Sequence, residues 1–596
     1  MIFKNHIWKQ KPIALSVWLF LFAGIVSAQP KISTIEFFGN TFFSQRELLE
    51  KIPAKIGSPF FQVEPIHLAV VTLYRSEGFY WFTIDSSKNI FNSDSSSVQL
   101  IFFFNEKIRT SISEIALIGN QSISTIELLS LFETKAGTPL NAQLLESDIQ
   151  SILQLYSRRG FPFTKISSDS IDADSGDGSK LIVKLRIEEG ATVYLDEIQT
   201  EGNSTTSSYV IVREARVHSG ELFDQERIQR IQQRLERMQL FSSVAEPQLY
   251  IVSQTTGDSL RGGLLISVKE GSTNTFDGIL GYVPSTIPNT DGYFTGNVFI
   301  AMRNLFGTGR KALIRWQRET ELTQEIELQY REPWIFGIPL NLSGTFYQRK
   351  QDSSYVKTKF ELRGDFVLTE EFSIAGNITS ESVYPSANLQ QFSIFESNAL
   401  FFGAEILYDT RDNLRNPTKG VRYSTTVQQG RKSISGPEKY LSLATEKNFS
   451  IQRYSVDAEV FVSTFARQVI MIGVHGKQIS SSRLELSDLF QFGGTTTLRG
   501  YRENQFFASQ IAYLNSEYRF LTGRASSLFG FVDGGYFSRP ADSLIKSIER
   551  QEKSLYGFGI GARIETGLGI MNISYALGQG DSFSNGKIHV GIINEF

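Results

Sequence analysis

Two kinds of hydrophobic and polar patterning divide the chain. From about residue 272 onward, segments of about ten residues alternate apolar with polar and are separated by clusters of Gly, Asn, Asp and Ser, as in "KALIRWQRE", "VRYSTTVQQ" and "MNISYALG". A membrane-spanning strand of about 9–11 residues plus a connection of similar size predicts roughly 16 strands in this stretch. In the closing "KIHVGIINEF", Ile588, Val590, Ile592 and Phe596 share one face, while Lys587, His589 and Glu595 take the other. Before residue 272 the pattern mixes short strands with stripes of helical period. In "DQERIQRIQQRLERMQLF", Ile228, Ile231, Leu235 and Met238 recur at helical spacing behind an Asp224 cap. The stripe is too brief for a coiled-coil seam and predicts a helix packed on a small sheet.

The earlier part also repeats. "ISTIEFFGN", "ISEIALIGN" and "LDEIQTEGN" each end a strand in Gly-Asn, at Gly39, Gly119 and Gly202. "GSPF" from Gly57, "GTPL" from Gly137 and "GELF" from Gly220 keep the same spacing. "EGFY", "RGFP" and a degenerate "MQLF" follow, and each unit closes on a strand in "VQLIFFFNEK", "LIVKLRIEEG" or "GLLISVKEG". Ordered markers at a period near 80 residues predict three copies of one module. Each reads as strand, helix, helix, strand, strand, with capping boxes at "SQRE" and "STIE". A sheet covered on one side by two helices leaves an edge strand that can accept an extended peptide, unless neighbouring units cover it.

Composition narrows the setting. Lys4, Lys9 and Lys11 precede the apolar "IALSVWLFLFAGIV", and "VSA" sets a cut after Ala28. Residues 1–28 therefore read as an export leader, a retained anchor being the alternative. There is no cysteine, which excludes disulfides, thiolate metal sites and a lipid-modified N-terminal cysteine. Removing the three leader lysines from 59 basic residues leaves 56 against 62 acidic ones, and no dense basic run suggests nucleic acid. His6, His67, His218, His475 and His589 are scattered without the spacing of metal ligands. A mean hydropathy of −0.14 fits a soluble protein, but also a barrel whose strands average lipid-facing with lumen-facing residues. A water-soluble all-β domain could alternate likewise. The leader, the terminal Phe596 and the length of the run favour an outer-membrane barrel.

Five strings follow the repeats in a fixed order: "RNLFGTGR" (303–310), "YREPWIFG" (330–337), "YDTRDNLRNPTKG" (408–420), "GGTTTLRGY" (493–501) and "FVDGG" (531–535). With the three Gly-Asn units, they resemble the BamA/TamA superfamily of outer-membrane assembly and translocation proteins across essentially all of the chain after the leader. The resemblance implies POTRA modules at 29–108, 109–189 and 190–270. It also implies a transmembrane antiparallel β-barrel of about 16 strands at 271–596. "GGTTTLRGY" resembles the family's Arg-Gly-Phe/Tyr motif on a long loop folded back into the barrel. By that resemblance Arg499, flanked by Leu498, Gly500 and Tyr501, meets Asp533 of the wall. The chemistry agrees, since an arginine inside a lumen needs a partner and its planar fork suits a carboxylate. Gly500 would permit a turn that a Cβ forbids, and Tyr501 would pack beside the arginine.

The resemblance further implies a lateral seam between the first strand, in "TFDGILGYVP", and the last. Gly278, Gly281 and Pro284 make the first strand a weak pairing partner, and Ile592 and Phe596 belong to the other side. Glycines also occur in inert barrel strands. Asn594 departs from the family by sitting on the apolar face of the last strand.

No catalytic constellation, metal site or cofactor motif is present, so an enzyme is not expected. The leading expectation is an assembly factor in the bacterial outer membrane with its modules in the periplasm. Its partners would be unfolded outer-membrane proteins or autotransporter-like clients, outer-membrane lipids and accessory periplasmic or lipoprotein subunits. A polypeptide secretion pore of the two-partner type is the alternative, although such relatives usually carry two modules and a plugging helix. A passive porin ranks last because it gives the modules no task.

Overall fold

The computed structural model describes residues 29–596 except 175, 177, 255–258, 284–292, 386–393, 437–445, 524, 542–548, 567–568 and 594–596. The export leader, Pro284, Asn594, Glu595 and Phe596 lie outside the described residues. Residues up to 192 form one compact unit and residues 193–596 a second.

The first unit holds two copies of one arrangement. The first copy runs β1 (Lys31–Phe38), α1 (Gln45–Lys51), α2 (Glu64–Ser76), β2 (Thr83–Phe91) and β3 (Ser97–Asn105). The second runs β4 (Ser111–Ile118), α3 (Thr125–Ser130), α4 (Ala142–Arg158), β5 (Lys165–Ala173) and β6 (Lys180–Glu188). Each sheet places its last strand in the middle, in the orders β1-β3-β2 and β4-β6-β5. The central strand is parallel to the first and antiparallel to the other. The helices bury one face of each sheet, with Leu48, Val70, Tyr74, Leu100 and Phe102 closing the first core. Leu128, Ile152, Tyr156, Val183 and Leu185 do the same in the second.

The repeated Gly-Asn has a steric cause. Gly39, Gly119 and Gly202 hold φ of +85°, +97° and +81°. A Cβ at those positions would lie 2.2, 2.2 and 1.9 Å from the carbonyl oxygens of Phe104, Ile187 and Val268. The glutamate that ends each unit explains a second marker. Glu106 accepts from the Thr41 and Phe42 amides at 2.8 and 3.0 Å and from the Tyr74 hydroxyl at 2.7 Å. Glu189 accepts from Gln121, Ser122 and Tyr156 in the same way. Glu270 accepts from Thr205 and Thr206. The Ser44/Glu47 capping box is complete. The expected box at Ser124 is half formed: Ser124 accepts the Glu127 amide, but the Glu127 carboxylate pairs with Arg159 at 2.8 Å instead of turning back.

The second unit opens with a third module that departs from the five-element expectation. It runs β7 (Thr192–Glu201), α5 (Ser208–Ala215), a two-residue β8 (Glu221–Leu222), α6 (Gln225–Arg237), β9 (Phe241–Val244), β10 (Gln248–Gln254) and β11 (Ser259–Glu270). The sheet order is β10-β11-β7-β8, with β9 also on β11. Asp224 caps α6 by accepting from the Glu226 and Arg227 amides. The predicted stripe faces the core, where Ile228, Ile231 and Leu235 pack against Leu264 and Ile266.

Beyond it the chain climbs through β12 (Asn274–Val283), β13 (Tyr293–Leu305), β14 (Arg310–Arg318), β15 (Gln324–Glu332), β16 (Leu340–Gln351) and β17 (Tyr355–Val367). It continues through β18 (Phe372–Pro385), β19 (Glu396–Asp409), β20 (Gly420–Gly436), β21 (Asn448–Ser463) and β22 (Gln468–Ser481). A small hairpin, β23 (Phe490–Phe492) with β24 (Phe506–Ala508), interrupts the run inside a loop. The series ends with β25 (Gln510–Leu521), β26 (Ser527–Arg539), β27 (Gln551–Thr566), β28 (Gly569–Gly578) and β29 (Lys587–Ile593). Without the hairpin these make one 16-stranded antiparallel sheet. Its exposed side is apolar and its covered side polar. On β25, Leu514, Tyr518 and Phe520 are exposed while Asn515, Glu517 and Arg519 are buried. On β18, Ile374 and Ile378 are exposed while Asn377, Thr379 and Glu381 are buried. That inversion of a water-soluble sandwich is the signature of a strand wall facing lipid. Among the described residues no helix is long and apolar enough to cross a membrane, which says nothing about strands.

Candidate functional site

The loop between β22 and β25 folds into the sheet's interior and touches strands from both halves of it. Lys357 on β17 donates to the Ser487 carbonyl at 3.0 Å, and Lys432 on β20 reaches Asp488 at 2.8 Å and Glu485 at 3.2 Å. The far end of the loop meets β25 to β29. One loop can reach both sets only because the sheet curls into a barrel, and the loop crosses its lumen.

At that far end sits "GGTTTLRGY". Arg499 is 4% exposed and Asp533, on β26, is wholly buried. The arginine donates Nε and Nη2 to the two Asp533 oxygens at 2.7 Å each, and its own amide to Oδ2 at 3.1 Å. This is the fork-to-carboxylate geometry that secures both charge and orientation. Nη1 donates to Glu517 at 2.6 Å, and the guanidinium lies 3.7 Å from the centre of the Phe531 ring.

The neighbours fix this placement. Leu498 is fully buried in a cluster with Phe492, Tyr513 and Phe537. Gly500 has φ +95°, and a Cβ there would lie 2.7 Å from the backbone of Leu577 and Gly578. The ring beside Arg499 belongs to Phe531, whereas Tyr501 packs near Phe506, donates to the Tyr556 carbonyl and accepts from the Gln579 amide. The expectation that Tyr501 flanks the arginine is corrected accordingly. Gly500, at φ +95°, turns the chain between the two residues and sends the Tyr501 ring away from the arginine's partners.

The motif resemblance pairs Arg499 with Asp533 but leaves out four further participants. Glu517 and Arg519 come from β25, Arg563 from β27 and His589 from β29. Glu517 meets three guanidiniums, those of Arg499 at 2.6 Å, Arg519 at 2.7 Å and Arg563 at 2.9 Å. His589 is 6% exposed, and its Nε2 accepts the Gly500 amide at 3.2 Å. The loop motif is thereby tied directly to the last strand. The signal available in the sequence was alternation: Glu517 and Arg519 are charged positions on the lumen face of the strand next to Asp533.

The two sides of the expected seam are the ends of the sheet. Among the described residues β12 pairs only with β13, and β29 only with β28. Gly278 and Gly281 lie on β12 opposite Val298 and Thr295, and Ile592 lies on β29 opposite Met571.

The three strings that precede the loop have a place too. "RNLFGTGR", "YREPWIFG" and "YDTRDNLRNPTKG" contain the turns that meet the third module. The Ser207 amide donates to the Gly307 carbonyl at 2.9 Å, and the Trp334 indole donates to Glu214 at 2.8 Å. Arg237 donates to the carbonyls of Glu370 and Asp409 at 2.6 and 2.9 Å.

Comparison with known families agrees with this architecture. The Omp85 superfamily domain matches residues 304–596, and the surface antigen variable number repeat, POTRA, matches 110–190 and 193–271. The chain belongs to the Omp85, or BamA/TamA, superfamily. This Omp85 chain is 23% identical over 343 residues to the outer membrane protein assembly factor BamA of Neisseria meningitidis serogroup B, covering 56% of itself and 41% of that protein. It is 23% identical over 402 residues to BamA of Nitratidesulfovibrio vulgaris, covering 63% of itself and 47% of the relative. The match thus spans less than half the length of these curated relatives. Among solved structures, CdiB from Escherichia coli superposes with a TM-score of 0.50 at 14% identity, over 81% of this chain and 89% of that one, a likeness of fold.

Proposed function

We propose that this Omp85 chain is an outer-membrane protein assembly factor that receives unfolded clients on its POTRA modules and templates their insertion at the barrel's edge. The observation that carries the reading is the set of sheet edges. β2, β5 and β10 each pair on one side among the described residues, as do β12 and β29. An unfolded strand can add to such an edge through backbone hydrogen bonds. The driving energy would be the client's own folding, since backbone groups in lipid must be paired. The modules would face the periplasm and the barrel would span the outer membrane. Residues 29–108, 109–189 and 190–270 would be the modules and 271–596 the barrel. Clients would be outer-membrane or autotransporter-like proteins, with lipoprotein subunits as accessory partners. Three modules favour an accessory, TamA-like factor over the general one.

Leu498, Arg499, Gly500, Tyr501 and Asp533 would act as a latch that keeps the barrel in its working shape, with Gly278, Gly281, Ile592 and Phe596 flanking the seam. A loop lying across the lumen supports work at the edge over a secretion pore through the centre. Depleting the protein and quantifying the outer-membrane proteome tests the reading. Broad loss of barrels marks a general factor and selective loss an accessory one. Unchanged levels of every barrel protein would defeat the assembly reading.

A further inference from the structure

Between the third module and the barrel turns it meets lies a cavity of about 310 Å³, within the size range of small-ligand sites. Seven cationic side chains line it against four carboxylates. Three of those carboxylates already have partners, two of them within the lining itself. Glu370 pairs with Arg234 at 2.8 Å, Asp409 takes a fork from Arg411 at 2.8 Å, and Glu214 accepts the Trp334 indole. Arg213 and Arg237 bond only to carbonyl oxygens and have no carboxylate within 4 Å among the described residues. Arg216 has its nearest carboxylate, Glu214, at 3.9 Å and lies 5.5 Å from the Trp334 ring centre. The Nε atoms of Arg213 and Arg216 are buried with no acceptor. Burial pushes the Arg213 guanidinium below its usual value, and the more distant charges of Glu214 and Glu332 do not make up the loss.

The turns bordering the cavity carry a second feature. Phe306 and Phe336 are 90% and 92% exposed, and both hold positive φ, +56° and +57°, although neither is glycine. Such rings on the rim of a membrane barrel belong at the level of the lipid headgroups. A cationic cavity at that level, beside two exposed aromatic tips, fits a phosphate carried by a lipid.

We propose that this cavity binds the phosphate of an anionic phospholipid from the leaflet nearest the modules, through Arg213, Arg216 and Arg237. The proposal rests on the chain being a membrane barrel, but not on its acting in assembly. Guanidiniums suit phosphate oxygens because their planar donors bond two at a time. A lipid seated there would bridge the third module to the barrel rim and make their contact depend on the membrane.

The test is native mass spectrometry of the full chain in detergent, titrated with short-chain phosphatidylglycerol, short-chain phosphatidylcholine or inorganic phosphate. The Arg213→Gln/Arg216→Gln double variant serves as the comparison, with Arg237 kept because it anchors the module. Saturable binding of one phosphatidylglycerol, stronger than of phosphatidylcholine and weakened roughly tenfold or more in the variant, is the expected result. Heat-modifiable gel mobility like that of the parent shows that the variant is folded. Inorganic phosphate binding as tightly as the lipid overturns the lipid assignment in favour of a free anion. Equal phosphatidylglycerol binding by parent and folded variant overturns the site altogether. A folded protein that binds the lipid while depletion leaves all barrel proteins unchanged would sink the assembly reading and leave this one standing.

Discussion

Arg499 illustrates how much a single lumen residue can be asked to hold. Its guanidinium engages carboxylates on two adjacent strands and an aromatic face, and its loop neighbour Gly500 bonds to a third strand through His589. A buried ion pair adds little over an apolar replacement, but removing one partner strands the other charge at about 3–5 kcal/mol. Arg499→Ala and Asp533→Ala are therefore each expected to lower the temperature at which the barrel loses its folded gel mobility, and to impair complementation. The double variant should be less damaged than the sum of the singles, because the uncompensated charge is gone. Wild-type mobility and complementation in both single variants would defeat the latch. Asp533 was legible from its motif. Glu517, Arg563 and His589 carry no motif of their own; alternation puts Glu517 on the lumen face, but only the strand registers and the loop's path bring these three side chains to Arg499 and Gly500.

At the scale of the element, the repeat is legible because each marker answers a local steric or hydrogen-bonding demand. The Gly-Asn turns need a residue without Cβ, and the closing glutamates satisfy the amides that follow. Burial raises the Glu106 carboxyl, but bonds from Thr41, Phe42 and Tyr74 outweigh it and hold the group below its usual 4.5. Glu189 and Glu270 are lowered by equivalent bonds against the same opposing burial. A depressed carboxylate contributes stability that is present above its unfolded pKa and lost as pH falls through the folded one. The modules should thus loosen below about pH 4.5, seen as faster hydrogen exchange in β3, β6 and β11 after correction for the intrinsic rate. Glu106→Gln should destabilise the first module at neutral pH by about 2 kcal/mol and flatten its acid response. An unchanged pH profile in that variant would show that Glu106 carries no such role. The half-formed box at Ser124 marks the limit of local reading, since Arg159 competes from just past the end of α4, more than thirty residues on.

The whole molecule is built from two compact units, with the third module's residues from 193 onward in the same unit as the barrel. Removing residues 29–190 should leave a barrel with folded, heat-modifiable mobility while abolishing complementation. Loss of the folded band would show instead that the first two modules are needed to form the barrel. Period-two alternation foretold the 16 strands because a wall between lipid and lumen must present opposite chemistry on successive residues. The helical stripe of α6 and the three-fold repeat were likewise dictated locally, by 3.6-residue periodicity and by turns that tolerate only glycine. By itself, then, the sequence determined the modules and the barrel, while the pairing of Arg499 with Asp533 came from the motifs' resemblance to the family's. Only the tertiary structure decided which strands surround that pair, that His589 ties the loop to the last strand, and that three motif turns and the C-terminal ends of two module helices enclose an arginine-lined cavity. Those contacts join positions tens to hundreds of residues apart, and their registers are set by barrel curvature and module docking, which no local pattern encodes.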